Sequence, residues 1–189
     1  LLAHSMGGAI GLRAVINGLP VAACAFSAPM WDLTLSPAAR FVAQTLGPVA
    51  NALGLAKSKI PGTQTTPYVL TADRADNVLT TDPERFDWFR AHVATHPDLG
   101  LGGPTFGWLH QSMREFLRIA QSPAPKLPTR IHLGTAERIV CPATIRRYAA
   151  AWPTASLVEH DGAEHEVMME RPAIRHAVID DLIGFFTGA

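Results

Sequence analysis

A serine, a carboxylate and a histidine stand in this chain in an order that could carry nucleophilic acyl transfer. Ser5 lies in Leu1-Leu2-Ala3-His4-Ser5-Met6-Gly7-Gly8-Ala9-Ile10, between an apolar strand stub and an apolar helix. A serine hydroxyl is too weakly acidic to attack a carbonyl at neutral pH, so a histidine must take its proton and a carboxylate must orient that histidine. Glu137, three residues beyond Gly134, and His165, in the turn-rich Asp161-Gly162-Ala163-Glu164-His165, are the candidates. Asp32 is the competing acid and His160 the competing histidine, and Glu137 could instead be a loop carboxylate paired with Arg138. Small residues two before and two after a serine let strand and helix close on a strained turn that exposes the hydroxyl. Ala3 and Gly7 occupy those places, and Gly8 adds to the tight packing. Taken alone, the five-residue pattern also fits an ordinary helix N-cap serine.

For these groups to meet, each must leave the end of a strand in one sheet. Residues 6–17 are apolar nearly all round and stop at Asn17-Gly18, which predicts a buried helix. Residues 21–26 form a continuous apolar run, as expected of a strand covered on both faces. From residue 31 to 128 prolines and glycines multiply and no pair of strands stands out. Helices are predicted over 41–55, weak and interrupted at Gly47-Pro48, over 82–96 with Asp82 as N-cap and Pro83 in the first turn, and over 108–120. The glycine-rich stretch 99–108 lacks the Gly-Lys-Ser/Thr of a phosphate loop. Beyond the proline-rich connector 121–128, a strand over 129–134, a helix over 142–152, a strand over 155–159 and a helix over 172–186 restore the alternation. The predicted architecture is α/β: a mostly parallel sheet flanked by helices, built from residues 1–30 and 129–189, with 31–128 inserted as a helical cap.

Composition narrows the ligand. At 48% hydrophobic and 17% charged, the 189 residues can bury a sizeable core, and sixteen basic residues balance sixteen acidic ones. No run of like charge suggests a nucleic-acid partner, so a neutral or apolar ligand fits better. Cys24 and Cys141 have neither the number nor the spacing of a metal site or a disulfide framework and read as structural. His4, His92, His96, His110, His132 and His176 likewise lack metal-ligand spacing and read as structural or solvated. No apolar run reaches the length of a membrane-spanning helix. Opening on Leu1-Leu2-Ala3, the chain reads as N-terminally truncated, and with that the compartment signal is lost.

Five separated motifs carry a resemblance that runs over essentially the whole chain. They are Leu2-Ala3-His4-Ser5-Met6-Gly7-Gly8; Ser27-Ala28-Pro29-Met30; the block from Leu79-Thr80-Thr81-Asp82-Pro83-Glu84-Arg85 to Gly103-Pro104-Thr105-Phe106-Gly107-Trp108; Gly134-Thr135-Ala136-Glu137-Arg138-Ile139-Val140; and Gly162-Ala163-Glu164-His165-Glu166. Together they resemble the lysophospholipase and monoacylglycerol-lipase branch of the α/β-hydrolases, whose chain order is serine, acid, histidine. That resemblance implies a helical lid after the strand that follows the nucleophile, and an acyl-enzyme formed on Ser5 through His165 with Glu137 as acid. The branch usually has aspartate there, so Glu137 is a departure, and Asp32 remains open as the acid. It implies an oxyanion held by the Met6 N–H and by a second donor that has no candidate in this sequence, because the resemblance starts at the end of the fifth strand. Roughly 100 preceding residues would supply the first four strands. The expectation is therefore an apolar sheet edge prone to self-association and a chain impaired on its own. The implied substrate is a single-chain acyl ester, a lysophospholipid or monoacylglycerol, bound against cap residues such as Phe106 and Trp108, with no metal or organic cofactor. A cytoplasmic or membrane-peripheral location, with the cap touching the membrane, goes with it. An aminopeptidase-like or haloperoxidase-like substrate, a non-catalytic binding protein and an inactive fragment are the alternatives.

Overall fold

The computed structural model describes residues 1–188. In chain order the elements are β1 (Leu2–His4), α1 (Met6–Ile16), β2 (Cys24–Ser27), α2 (Pro37–Ala52), α3 (Tyr68–Thr71), α4 (Pro83–Thr95), α5 (Phe106–Gln121), β3 (Thr129–Gly134), α6 (Pro142–Ala151), β4 (Ala155–His160) and α7 (Pro172–Thr187). Two compact units contain them. The first comprises Leu1–Thr34, Val78–Asp82 and the residues from Arg118 onward; the second comprises Leu35–Asn77 and Pro83–Leu117. Val78–Asp82, inside the span that the sequence reading assigns to an insertion, thus belongs to the unit that holds the sheet.

The sheet is wholly parallel, in the order β1-β2-β3-β4, with Ala3 opposite Phe26, Phe26 opposite Ile131 and Ile131 opposite Leu157. Parallel neighbours need crossovers, and α1 and α6 are the short ones. β2 is buried at every position and β3 at all but Arg130, as expected of strands covered on both faces, and β2 accordingly reads as an apolar run. β2 starts later than the sequence predicts, because its ladder partner β3 begins at Thr129, opposite Cys24. Val21 instead turns back to donate to the Leu19 carbonyl.

α1 buries Gly8, Ala9, Gly11, Leu12 and Val15 but exposes Met6 and Ile10. The predicted burial on all sides is corrected to burial on the one face that meets the sheet. Trp31 is fully buried among Phe26, Tyr148 and Trp152, with ring centroids 5.2, 5.9 and 5.0 Å away, and its indole N–H donates to the Gly8 carbonyl at 3.2 Å. A buried indole needs such an acceptor, and this one ties the core to α1. A second apolar group, Ala25, Ala163, Val167, Val178 and Leu182, seats α7.

In the second unit α2 runs unbroken through Pro48, where the sequence predicts an interruption. It also starts earlier: Ser36 caps it, accepting from the Ala39 N–H at 3.2 Å, and Pro37 fills the first turn. An internal proline costs a helix about 3 kcal/mol. The helix is closely packed beside it: a Cβ at Gly47 would sit 3.3 Å from the His110 Cβ. α5 begins at Phe106, two residues before the predicted start, because the Thr105 hydroxyl accepts from the Trp108 N–H at 3.1 Å. Among the described residues no helix is long and apolar enough to cross a membrane.

Candidate active site

The turn between β1 and α1 is one residue wide, and Ser5 occupies it with φ 50° and ψ −121°. A side chain other than glycine in that region of backbone space costs on the order of 1–3 kcal/mol and persists only where its surroundings enforce it. Here the Ser5 N–H donates to the Ser27 carbonyl at 3.0 Å, while the Ser5 carbonyl accepts from Gly8 and Met30, both at 2.8 Å. The close approach that shapes the turn lies at Gly8, where a Cβ would fall 2.6 Å from the Pro29 Cβ, and at Gly11, 3.2 Å from the Ala3 methyl. At Gly7, to which the sequence pattern assigns that role, a Cβ would meet nothing within 4 Å. Met6, the residue after the serine, opens α1.

The carboxylate arrives from the end of β3. A Cβ at Gly134 would lie 2.1 Å from the Ala163 carbonyl oxygen, so only glycine lets the turns after β3 and β4 touch. The Ala136 N–H donates to that same oxygen at 3.0 Å, and the Thr135 N–H to the His160 carbonyl at 3.0 Å. Glu137 follows, 7% exposed. Its Oε1 accepts from the backbone N–H groups of Ile139 at 2.6 Å and Val140 at 3.1 Å, and its Oε2 lies 2.7 Å from His165 Nδ1. Three donors converging on one carboxylate leave its orientation no freedom. His165, 4% exposed, brings its Nε2 within 2.8 Å of Ser5 Oγ. Ser5, His165 and Glu137 therefore form one hydrogen-bonded chain, in which the Ser5 O–H donates to Nε2 when Nδ1–H donates to Glu137.

The backbone of the histidine turn is held by Val78–Asp82. The His165 N–H donates to the Val78 carbonyl at 3.4 Å and the Glu166 N–H to the Leu79 carbonyl at 2.8 Å. Glu170, fully buried, accepts from the N–H groups of Thr81 and Glu164, both at 2.9 Å, and from the Thr81 hydroxyl at 2.5 Å. Sequence reasoning missed this carboxylate, since nothing local marks a glutamate as buried.

The competing residues lie elsewhere. Arg138 makes a forked contact with Glu164, at 2.7 and 3.3 Å. Asp32 accepts from the Leu33 N–H at 2.8 Å and the Thr144 hydroxyl at 3.4 Å, so the carboxylate on His165 Nδ1 is Glu137. His160 stacks on His132, its Nε2 3.0 Å from His132 Nδ1, with Asp181 3.2 Å from His132 Nε2. Burial above all, then the neighbouring His160, outweighs Asp181 and pushes His132 down to about 4. His160 is lowered as well, again by burial. Phe106 and Trp108 are half-buried on the first turn of α5, in the second unit, where the Phe106 N–H donates to the Ser58 carbonyl at 3.0 Å.

His4, read from the sequence as structural or solvated, lies beside the site. Its Nε2 lies 3.1 Å from Glu166 Oε1, and its ring centroid lies 4.8 Å from that of His165. Burial alone would raise Glu166, but the contact with His4 and the charges of His4 and His165 hold it below the ordinary glutamate range. Its adjacency to His165, like that of His4 to Ser5, was the available signal.

Comparison with known proteins bears on this arrangement. The family model described as serine aminopeptidase, S33, matches residues 1–172. A probable lysophospholipase L2 of Haemophilus influenzae is 27% identical over 187 residues, covering 98% of this chain and 58% of the relative. Lysophospholipase L2 of Escherichia coli K12 is 26% identical, covering 98% and 56%. The chain thus spans rather more than half the length of these curated relatives. Among solved structures, a soluble variant of monoglyceride lipase from Saccharomyces cerevisiae, in complex with a substrate analog, superposes with a TM-score of 0.72 at 20% identity, over 99% of this chain and 64% of that one. The monoacylglycerol lipase of Paleococcus ferrophilus does so with a TM-score of 0.69 at 17% identity, over 98% and 68%.

Proposed function

Because the chain belongs to the serine aminopeptidase S33 family and has the α/β-hydrolase fold of its lysophospholipase-like and monoacylglycerol-lipase-like branch, we propose that it is a serine hydrolase of single-chain acyl esters. The observation that carries this reading is the chain of short hydrogen bonds from Ser5 through His165 to Glu137, anchored on a strained turn. In it Ser5 Oγ attacks the ester carbonyl carbon as its proton passes to His165 Nε2. Glu137 holds the imidazole in the accepting tautomer and stabilises the imidazolium that forms. The tetrahedral oxyanion is received by the Met6 N–H, at the positive end of α1. Collapse breaks the ester C–O bond, and Nε2 returns its proton to the departing alkoxide, leaving Ser5 acylated. Water then attacks the acyl carbon, gives a proton to Nε2, and the carboxylic acid leaves as Ser5 regains its hydrogen. Lysophospholipids and monoacylglycerols are the proposed substrates, on the strength of the relatives' names, with Phe106 and Trp108 as acyl-chain contacts.

The family description itself favours a second reading, cleavage of aminoacyl amides by the same three residues. A panel of lysophosphatidylcholine, monoacylglycerols and aminoacyl amides separates the two, with a fluorophosphonate probe reporting the nucleophile directly. Ester turnover and probe labelling that are both lost in Ser5→Ala are expected. Undiminished labelling of Ser5→Ala would refute the nucleophile, and turnover of amides alone would refute the ester assignment.

A further inference from the structure

We propose that His4 and Glu166 form an ion pair that braces the turn carrying Ser5 against the turn carrying His165 and sets the charge beside His165, an inference that rests on the triad reading above. His4 is the last residue of β1 and Glu166 follows His165, so the pair joins the two turns one residue away from each reacting group. His4 Nδ1 lies 3.0 Å from the Ser27 carbonyl oxygen, which can only accept, so Nδ1 carries a hydrogen. His4 Nε2 lies 3.1 Å from Glu166 Oε1, and an ionised carboxylate can only accept, so Nε2 carries one as well. A doubly protonated His4 is the state in which neither contact sets two acceptors against each other. The Ser27 hydroxyl, 3.2 Å from Nδ1, could donate to an unprotonated Nδ1, but the Ser27 carbonyl would then face a lone pair at 3.0 Å. Buried Nε2 meets Oε1 as an ion pair rather than as an aligned hydrogen bond. The lowered acidity range of Glu166 agrees, since His4 is the first of the influences that offset its burial.

Other charged groups near the histidine turn have partners of their own. Glu137 is bonded to Nδ1, Glu164 is paired with Arg138, Glu170 is taken up by the N–H groups of Thr81 and Glu164, and Asp82 faces Arg175 at 3.9 Å. Against that background the His4 cation and the Glu166 anion cancel at His165. Removing one uncovers the other. His4 and Glu166 are positioning residues, and their signature is a pair of opposed electrostatic shifts that a purely structural contact would not produce.

The test is the pH profile of kcat/KM for the full-length protein. His4→Gln leaves the Glu166 anion uncompensated and moves the acid limb up by about half to one pH unit, the size expected of one charge at roughly 6 Å in a partly solvated site. Glu166→Gln moves the limb down, and the double variant returns it close to wild type. Each single variant lowers kcat about tenfold with KM changed less than about threefold, the pattern of a group that orients the reacting histidine. Glu166→Asp, which keeps the charge, restores the limb. An acid limb that stays in place in His4→Gln, or moves down, overturns the proposal. Should His4→Gln fail to fold, the contrast between Glu166→Gln and Glu166→Asp decides in its place. Ser5→Ala separates the two levels: retained activity there sinks the triad itself, whereas lost activity with unmoved limbs sinks only the brace.

Discussion

Replacing Glu137 by glutamine tests the acid with a change of a single atom. In the native arrangement Oε1 accepts from the Ile139 and Val140 N–H groups while Oε2 accepts from His165 Nδ1. An amide can keep only part of this. Its oxygen must stay on the two backbone donors, because turning the NH2 toward them would set donor against donor twice. The NH2 then faces His165 Nδ1, which can receive it only after giving up its hydrogen. The imidazole is thereby driven into the Nε2–H tautomer, which donates to Ser5 Oγ and cannot take its proton. The comparable amide substitution in a serine-histidine-aspartate triad lowers kcat about 10,000-fold, or about 5.5 kcal/mol at about 1.4 kcal/mol per tenfold, and the same magnitude is expected here. KM should change little, and because the amide keeps both backbone bonds the thermal midpoint should stay within a few degrees. Glu137→Asp is the graded control: shorter by about 1.5 Å, it reaches either the two amides or His165, and a misplacement of about 1 Å costs on the order of 100-fold. Steady-state hydrolysis of a chromogenic ester by Glu137→Gln, Glu137→Asp and Asp32→Asn reads all three. A Glu137→Gln rate within tenfold of wild type, or a larger loss in Asp32→Asn, would show the assignment to be wrong.

Two other outcomes follow from the packing around the site. His132 is held at about 4 in the fold against about 6.5 in the unfolded chain. Stability tied to its neutral form is therefore present above pH 6.5 and is lost as pH falls toward 4, up to about 3 kcal/mol. Urea midpoints measured at pH 7 and pH 4.5 should differ accordingly, and the slope should shrink in His132→Asn; an unchanged midpoint across that range would contradict it. Gly134→Ala places a methyl 2.1 Å from the Ala163 carbonyl oxygen, a backbone atom that cannot move without carrying the histidine turn. It should lower the thermal midpoint by several degrees and activity by more than tenfold, and a variant indistinguishable from wild type in both would count against the contact.

The features that were legible in the sequence are those written in local chemistry. β2 follows from an apolar run ended by turn residues, α7 from apolar residues at helical spacing, and the places of Ser5, Glu137 and His165 from their positions just beyond strand ends. What stayed hidden depends on chain segments far apart. The start of β2 is set by a partner strand about 100 residues on, the exposure of Ile10 by which side of α1 meets the sheet, and the burial of Glu170 by Thr81 and Glu164 closing around it. The His4–Glu166 contact lies between these cases. A hydrogen bond between Ser5 Oγ and His165 Nε2 brings the two turns together, so that residues adjacent to them in sequence come within reach of one another where their side chains face the same way. Of the two neighbours of Ser5, Met6 turns away into α1, while His4, opposite Ser27 in the ladder, can reach across to the histidine turn. On the proposed roles, a histidine before the nucleophile and a glutamate after the general base are a charge-complementary pair 3.1 Å apart. On the proposed mechanism, the chemistry constrains more of the sequence than the three residues assigned to it.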